Sequence, residues 1–523
     1  MNEKPIDEFQ LDSFTKNLFE DLLSGTGNES GESAAQLKDQ YQQAVETELT
    51  GPIVRFFKQL LELTRETKAS AASLGYSREQ LLDLAKKHVD IDEHGVTIGG
   101  RVGRALGIAR DAVGRVENYL EKRLEEAPSG IDLWEQIQEN KDRISKVMGI
   151  SEDDWNRFPK QLHYAINDTS TLSRCINLPE ETIKDVLRVT QKYRMRLTPY
   201  YASLIMPGKT NDPILLQSVP TGEMVDNVGI EIPPVASDHS PARLIDQFYS
   251  RVVTIKVTNM CAMYCTHCLR LAHIGKSDQV FSKAALSEAV EYIRNNKNIR
   301  DVLITGGDAF ILPNPTLRWL LKELDSIDHL EVKRLGTRIP VTSPQRIDNE
   351  LLDILAESNE KGPVRVVTQI NTAQEITPVS RDAFKKISRN VAAVLNQAVL
   401  LRGINDSIIK MWHLCETIQS SYVRPYYLFN CSFRNPEFAH MRVPVQKGQD
   451  IVESMYGNIS GDAIPRYIAT AGGKVPLHRS NIVEFKDGKV VLKKPWSGEI
   501  AEYPDADPAV YADDNSFAFK KYE

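Results

Sequence analysis

Residues 251–268 read RVVTIKVTNMCAMYCTHC, a β-branched run that ends in three cysteines within eight positions, Cys261, Cys265 and Cys268. Val252, Val253, Thr254, Ile255, Val257 and Thr258 suit a pleated, buried surface, so the run predicts a strand with the cysteines on the loop after it. Downstream, β-branched runs alternate with amphipathic stretches: SKAALSEAVEYI follows RVVTIKV, PTLRWLLKEL follows DVLIT, and RDAFKKI follows VRVVTQI. Further runs stand at AAVLNQAVLL, RPYYLFN and AIPRYIAT. Repeated strand and helix units predict an α/β fold with a parallel sheet, best drawn as a full or partial β/α barrel. Such folds build their sites from the loops after the strands, which is where the cysteines fall.

Working outward, NIVEFKDGKVVLKKPWSGEIAEY after Ser480 alternates and turns at Asp487-Gly488, as a small antiparallel hairpin does. Toward the N-terminus, six prolines at 207, 213, 220, 233, 234 and 241 predict a segment without regular structure draped over a surface. Residues 1–131 read as helical, with Phe57, Leu60 and Leu61, and later Val113, Val116, Leu120 and Leu124, at the spacing of one helix face. A Gly/Ser/Glu-rich stretch, Ser24 to Ser33, interrupts them, and no chemistry is assigned there. The expected divisions are a helical region 1–131, a helical and extended lead-in 132–246, a barrel 247–475 and a β tail 476–523.

Composition narrows the function class. A chain of 523 residues with 41% hydrophobic and 26% charged content is long enough for two or more folded units. Its net charge of −7, with both signs interspersed, offers no basic face for nucleic acid and favours a small-molecule substrate. The start MNEKPIDEFQ lacks the layout of a signal peptide and no apolar run matches a bilayer, so the cytoplasm is expected. Six cysteines are too few for a disulfide scaffold of this length; the crowded three read as ligands, and Cys175, Cys415 and Cys431 as small buried residues.

Three thiolates on one short loop can hold three irons of a [4Fe-4S] cluster and leave the fourth iron open to a chelating ligand. A four-ligand zinc site needs one more donor, and His267, wedged beside Cys268, would strain a tetrahedron. Gly306-Gly307-Asp308 follows the next strand, DVLIT; two glycines permit close backbone approach and the aspartate can accept from an ammonium. Ala471-Gly472-Gly473-Lys474 closes the last strand, AIPRYIAT. Taken alone, both are ordinary strand-end turns.

The C-x-x-x-C-x-x-C spacing resembles the radical S-adenosylmethionine superfamily. That resemblance implies an open iron chelated by S-adenosylmethionine, cleavage to a 5′-deoxyadenosyl radical, and a glycine-rich element, here Gly306, Gly307 and Asp308, against the methionine amino group. From about Asp132 to Tyr503 the chain resembles the lysine 2,3-aminomutase family, through TPYYASLI, VTNMCAMYCTHC, DVLITGGDA, LGTRIPVTSPQRI, NQAVLLRGIND, RPYYLFNC and GGKVPL in the family's order. The resemblance implies pyridoxal 5′-phosphate bound as a Schiff base to Lys474, its phosphate held by Gln397, and a substrate carboxylate paired with Arg270, whose fork suits it. It also implies a free amino acid substrate, a one-electron reductant such as flavodoxin or ferredoxin, and a homo-oligomer. The reaction expected is transfer of the α-amino group to the β carbon.

Two departures bear on substrate and assembly. The aspartates with which lysine-specific members bind the distal ammonium fall on Ser432 and Thr470, so a lysine side chain would lack a counter-charge. L-Lysine is therefore not the expected substrate; Arg434 and Arg466, two and four residues away, can serve a carboxylate if the strands continue. The family's structural zinc site is missing as well, because its chain-internal cysteine falls on Ser407 and no cysteine follows Cys431. The altered pocket keeps open a radical enzyme of different outcome, such as elimination or action on a protein lysine, and a non-catalytic iron–sulfur redox sensor.

Overall fold

The computed structural model describes residues 100–229, 240–274 and 277–511. Phe57, Leu60, Leu61, the Ser24–Ser33 stretch, Pro233 and Pro234 lie outside the described residues. The chain forms two compact units, Met1–Glu117 and Asn118–Glu523. A helix spans Gly100–Glu126. Its apolar stripe does not face a core: Val113, Leu120 and Leu124 are exposed. Tyr119 is buried instead, edge-on to Trp412 at 5.1 Å, with its hydroxyl bonded to Glu416. One amphipathic ring with a polar tip anchors this helix end where the leucines do not.

The second unit is organised by a nine-stranded sheet whose strands lie in chain order. Its members are β1 (Ile245–Tyr249), β2 (Val252–Thr258), β3 (Asp301–Gly306), β4 (Val332–Gly336), β5 (Val364–Thr368), β6 (Ala393–Leu400), β7 (Arg424–Asn430), β8 (Arg466–Thr470) and β9 (Lys474–Pro476). Strands β2 to β8 are parallel, and β1 and β9 run antiparallel at the edges. The Lys474 amide donates to Tyr249 Oη at 3.2 Å, so the curled sheet brings its first and last strands together at one point.

The crossover helices form where hydroxyl or carboxylate caps precede amphipathic runs. Ser282 accepts from the Ala285 amide, Asp348 from Leu351 and Ser407 from Lys410. Helix Lys283–Asn295 turns Ala285, Leu286, Ala289, Val290 and Ile293 inward, the spacing of a single buried stripe. Ser407, the position of the missing zinc cysteine, thus has a structural task as a helix cap.

The proline-rich lead-in departs from its expected irregularity. Pro213 opens helix Pro213–Ser218 at its first turn, capped by Asp212, and Ile214, Leu215 and Val219 join a buried core with Ile137, Trp155 and Tyr201. Proline lacks only the amide that a first-turn residue leaves unpaired, so here it starts a helix. Met263 of the cysteine loop belongs to the same core, which fastens the lead-in to the loop. At the other end, β10 (Ile482–Lys486) and β11 (Lys489–Lys493) make the expected hairpin through Asp487 and Gly488, at φ 50° and 69°. A third strand, β12 (Ile500–Pro504), completes that sheet. Its buried Tyr503 donates to Asn430 Oδ1 at 2.6 Å at the end of β7.

Candidate active site

The carboxyl ends of the parallel strands gather the motifs. The cysteine loop leaves β2, Gly307-Asp308 leaves β3, Arg338 follows β4, Gln369 and Asn371 follow β5, Ser432 follows β7, and Ala471 to Lys474 link β8 to β9. All six cysteines are free; Cys175, Cys415 and Cys431 are buried, as their scattered apolar settings suggest. Burial, then the charges of Asp308, Cys268 and Cys265, push the Cys261 thiol well up. Burial and Cys265 raise Cys268 to about 12. Cys261 and Cys268 therefore need a positive partner to ionise, a condition that iron meets. Among the described residues no three His, Cys, Asp or Glu side chains are grouped as ligands of a single ion.

His267 bonds to residues that follow β5. Its Nε2 lies 3.3 Å from both Gln369 Oε1 and Asn371 Nδ2, and burial lowers its pKa to about 3. Asn371 Nδ2 also donates to Gln217 Oε1 at 3.2 Å, which accepts from Arg338 Nη2 at 2.9 Å. Within this linked group His267 Nδ1, Gln217 Nε2 and Arg338 Nε are buried without a partner. Three orphaned polar atoms beside the cysteine loop fit a polar ligand such as S-adenosylmethionine.

The glycine pair has a different immediate reason from the one its sequence suggests. A Cβ on Gly307 would lie 2.0 Å from the Met260 carbonyl oxygen, so the close approach is to the cysteine loop itself. The Gly307 amide donates to Thr258 O at 2.5 Å and the Asp308 amide to Met260 O at 2.8 Å. Asp308 is buried, and its carboxylate accepts from the Phe310 amide at 2.9 Å and the Arg338 amide at 2.6 Å. Its oxygens hold backbone on both sides of the site. Arg270 reaches the same edge, where Nη1 donates to Gly306 O at 2.9 Å and to Thr305 Oγ1 at 3.4 Å. Among the described residues no acceptor is bonded to its other nitrogens.

Lys474 lies opposite Thr470 in the β8–β9 pairing. The turn between them needs glycine twice, since Gly472 and Gly473 hold φ of 72° and 150°, and a Cβ on Gly473 would meet the Trp496 ring at 2.7 Å. Lys474 Nζ sits 4.6 Å from the Tyr427 ring centre and 5.8 Å from that of Phe429. Burial, with Arg334 nearby, lowers its pKa to about 8. Gln397 on β6 pairs directly with Tyr427 on β7, which brings the expected phosphate ligand and the lysine to one aromatic wall. A lysine whose ammonium is disfavoured by burial, set against aromatic rings, fits pyridoxal phosphate.

Ser432 Oγ accepts from the Arg434 amide at 3.2 Å, a turn that shows β7 has ended at Asn430. Arg434 therefore does not continue a strand face, though its Nε is buried without a partner. Arg466 is exposed at the start of β8, with its guanidinium 5.9 Å from the Tyr426 ring. Sequence reasoning gave no role to Arg338, Glu375, Tyr201 or Gln217, although Arg338 and Tyr201 stand inside the quoted blocks LGTRIPVTSPQRI and TPYYASLI.

A curled parallel sheet with a three-cysteine loop after its first parallel strand defines a radical S-adenosylmethionine protein, and the radical SAM superfamily model matches residues 255–411. The chain is 37% identical over 410 residues to glutamate 2,3-aminomutase of Clostridioides difficile, covering 78% of this chain and 96% of that one. It is 36% identical over 380 residues to L-lysine 2,3-aminomutase of Bacillus subtilis, covering 72% and 77%, and 35% identical over 366 residues to that of Clostridium subterminale, covering 69% and 87%. The chain belongs to this family of amino acid 2,3-aminomutases. It is an isomerase whose superfamily membership brings a [4Fe-4S] cluster, S-adenosylmethionine and dependence on a reductant. No helix among the described residues is long and apolar enough to cross a membrane.

Proposed function

We propose that the chain moves the α-amino group of a free amino acid other than L-lysine to its β carbon, with pyridoxal phosphate on Lys474. The observation that carries this reading is the placement of Lys474, whose Nζ lies 4.6 Å from the Tyr427 ring centre, on the same curled sheet whose first parallel strand leads into the cysteine loop. A β hydrogen without activation is beyond any side-chain base, so the reaction needs radical chemistry. When bound, the cluster and S-adenosylmethionine supply a carbon radical for that hydrogen, and pyridoxal phosphate supplies an imine to carry the nitrogen.

The protein's own groups then bind and orient. Cys261, Cys265 and Cys268 hold the cluster, and Gly306, Gly307 and Asp308 fix the height of that loop. Arg270 offers unbonded donors to the substrate carboxylate. Lys474 presents an amine that deprotonates more readily than a free lysine, Gln397 holds the cofactor phosphate, and Tyr427 and Phe429 exclude water from the amine. Ser432 and Thr470 border the substrate side chain without a carboxylate, which disfavours a distal ammonium. Residues 132–246 serve as the lead-in to a catalytic barrel at 247–475, and an external one-electron donor such as flavodoxin or ferredoxin completes the system.

The test is anaerobic incubation of reconstituted enzyme with pooled L-amino acids, S-adenosylmethionine and a chemical reductant, followed by mass-resolved amino acid analysis. One β-amino acid should accumulate with wild type and none with Lys474→Ala. Isomerisation that persists in Lys474→Ala would remove the assignment.

A further inference from the structure

Arg338 is a largely buried cation whose two terminal nitrogens have no role assigned above. Its side chain is 12% exposed and reaches four acceptors from three parts of the chain. Nη1 donates to Cys265 Sγ at 2.8 Å; Nη2 donates to Glu375 Oε1 at 2.6 Å, Gln217 Oε1 at 2.9 Å and Tyr201 Oη at 3.3 Å. Glu375 is fully buried, and its Oε2 is held by the amides of Asn371 at 2.7 Å and Thr372 at 3.3 Å. Tyr201 donates to Glu375 Oε1 at 2.9 Å. The Arg338 amide is itself fixed by Asp308. A planar fork held on one side by a buried carboxylate has little freedom, so Nη1 is fixed toward one sulfur.

We infer that Arg338 is a positioning residue that holds a charge-assisted hydrogen bond on the Cys265 thiolate and thereby raises the reduction potential of the cluster. This rests on the reading of Cys265 as a cluster ligand. Reduction adds one electron from an external one-electron donor and makes the cluster more negative by one charge, with no proton transferred. A fixed guanidinium beside a ligating sulfur stabilises the more negative state, because hydrogen bonds to the sulfurs and nearby charge set such potentials. Tyr201 and Gln217 extend the anchor into the lead-in, so the packing of that segment and the electronics of the cluster are joined through one side chain.

The test is an anaerobic redox titration followed by electron paramagnetic resonance, on the reconstituted full chain without S-adenosylmethionine. Arg338→Gln combined with Glu375→Gln removes both charges, so no unpaired carboxylate stays buried; Arg338→Lys keeps the charge but cannot reach every acceptor. The double variant should hold wild-type iron and show about a tenfold lower ratio of reduced to oxidised cluster at fixed potential, a shift of about 59 mV to lower potential. Arg338→Lys should shift the same way by less. An unchanged potential in a variant with full iron content overturns the inference. So does an unchanged potential with S-adenosylmethionine binding weakened tenfold or more, which would make Arg338 a ligand for that cofactor. Wild-type protein that takes up no iron would instead overturn the cluster reading itself.

Discussion

Gly307→Ala isolates what the glycine pair does. The added Cβ would stand 2.0 Å from Met260 O, 2.6 Å from Met260 C and 2.7 Å from Met260 N, all backbone atoms that no rotamer change can move aside. Ordinary carbon contact requires the loop to withdraw by more than about 1 Å, and Cys261 is the next residue. Overpacking of this kind costs about 1–3 kcal/mol, and losing the 2.8 Å bond from the Asp308 amide to Met260 O adds about 0.5–1.5 kcal/mol. The expected loss is thus roughly 2–4 kcal/mol, concentrated where the cluster binds. Gly461→Ala is the control, since nothing lies within 4 Å of a Cβ there. Circular dichroism melts and iron per chain after anaerobic reconstitution give the two readouts. Gly307→Ala should melt lower and bind less iron, while Gly461→Ala matches wild type. Wild-type melting and full iron in Gly307→Ala would refute the close-approach argument.

Tyr503→Phe strands the buried Asn430 Oδ1 and should cost about 1–3 kcal/mol in urea unfolding; an unchanged midpoint would show that the β12 contact does not support the end of β7. Lys474 bears on pH with a definite sign: burial disfavours its ammonium, so the amine is neutral above about 8 rather than above the ordinary lysine value of about 10.4. Pyridoxal phosphate trapped by borohydride on the Lys474 peptide should therefore rise with pH through a midpoint near 8, and a midpoint near that of a free lysine would count against the buried site. Ser432→Asp with Thr470→Asp should restore the missing counter-charges and raise L-lysine turnover by an order of magnitude or more. Wild type that isomerises L-lysine faster than any other amino acid would defeat the pocket argument.

The barrel was legible because β-branched runs and amphipathic helices alternate at a regular interval, and a parallel sheet is what such units form. The Asp487-Gly488 turn was equally open to reading, since both residues must adopt positive φ. What pattern could not reveal was long-range partnership. Asp308 also accepts from the amide of Arg338, thirty residues on, a bond that nothing local in the sequence announces. Arg338 and Glu375 lie 37 residues apart, and nothing local marks them as a pair. Pro213 shows the opposite error, where a residue read as a breaker serves as a first helical position. The apolar spacing of Val113, Leu120 and Leu124 marked the helix Gly100–Glu126 correctly, but periodicity reports a face without saying that anything covers it.

The central claim concerns where the migrating hydrogen goes, and isotope transfer tests it directly. Reconstituted enzyme would be given the preferred amino acid deuterated at the β carbon, with S-adenosylmethionine and reductant, and quenched in early turnover. Deuterium should appear in 5′-deoxyadenosine and at the α carbon of the β-amino acid product, with both signals absent from Lys474→Ala. Product isomerised while 5′-deoxyadenosine stays free of deuterium would contradict the account.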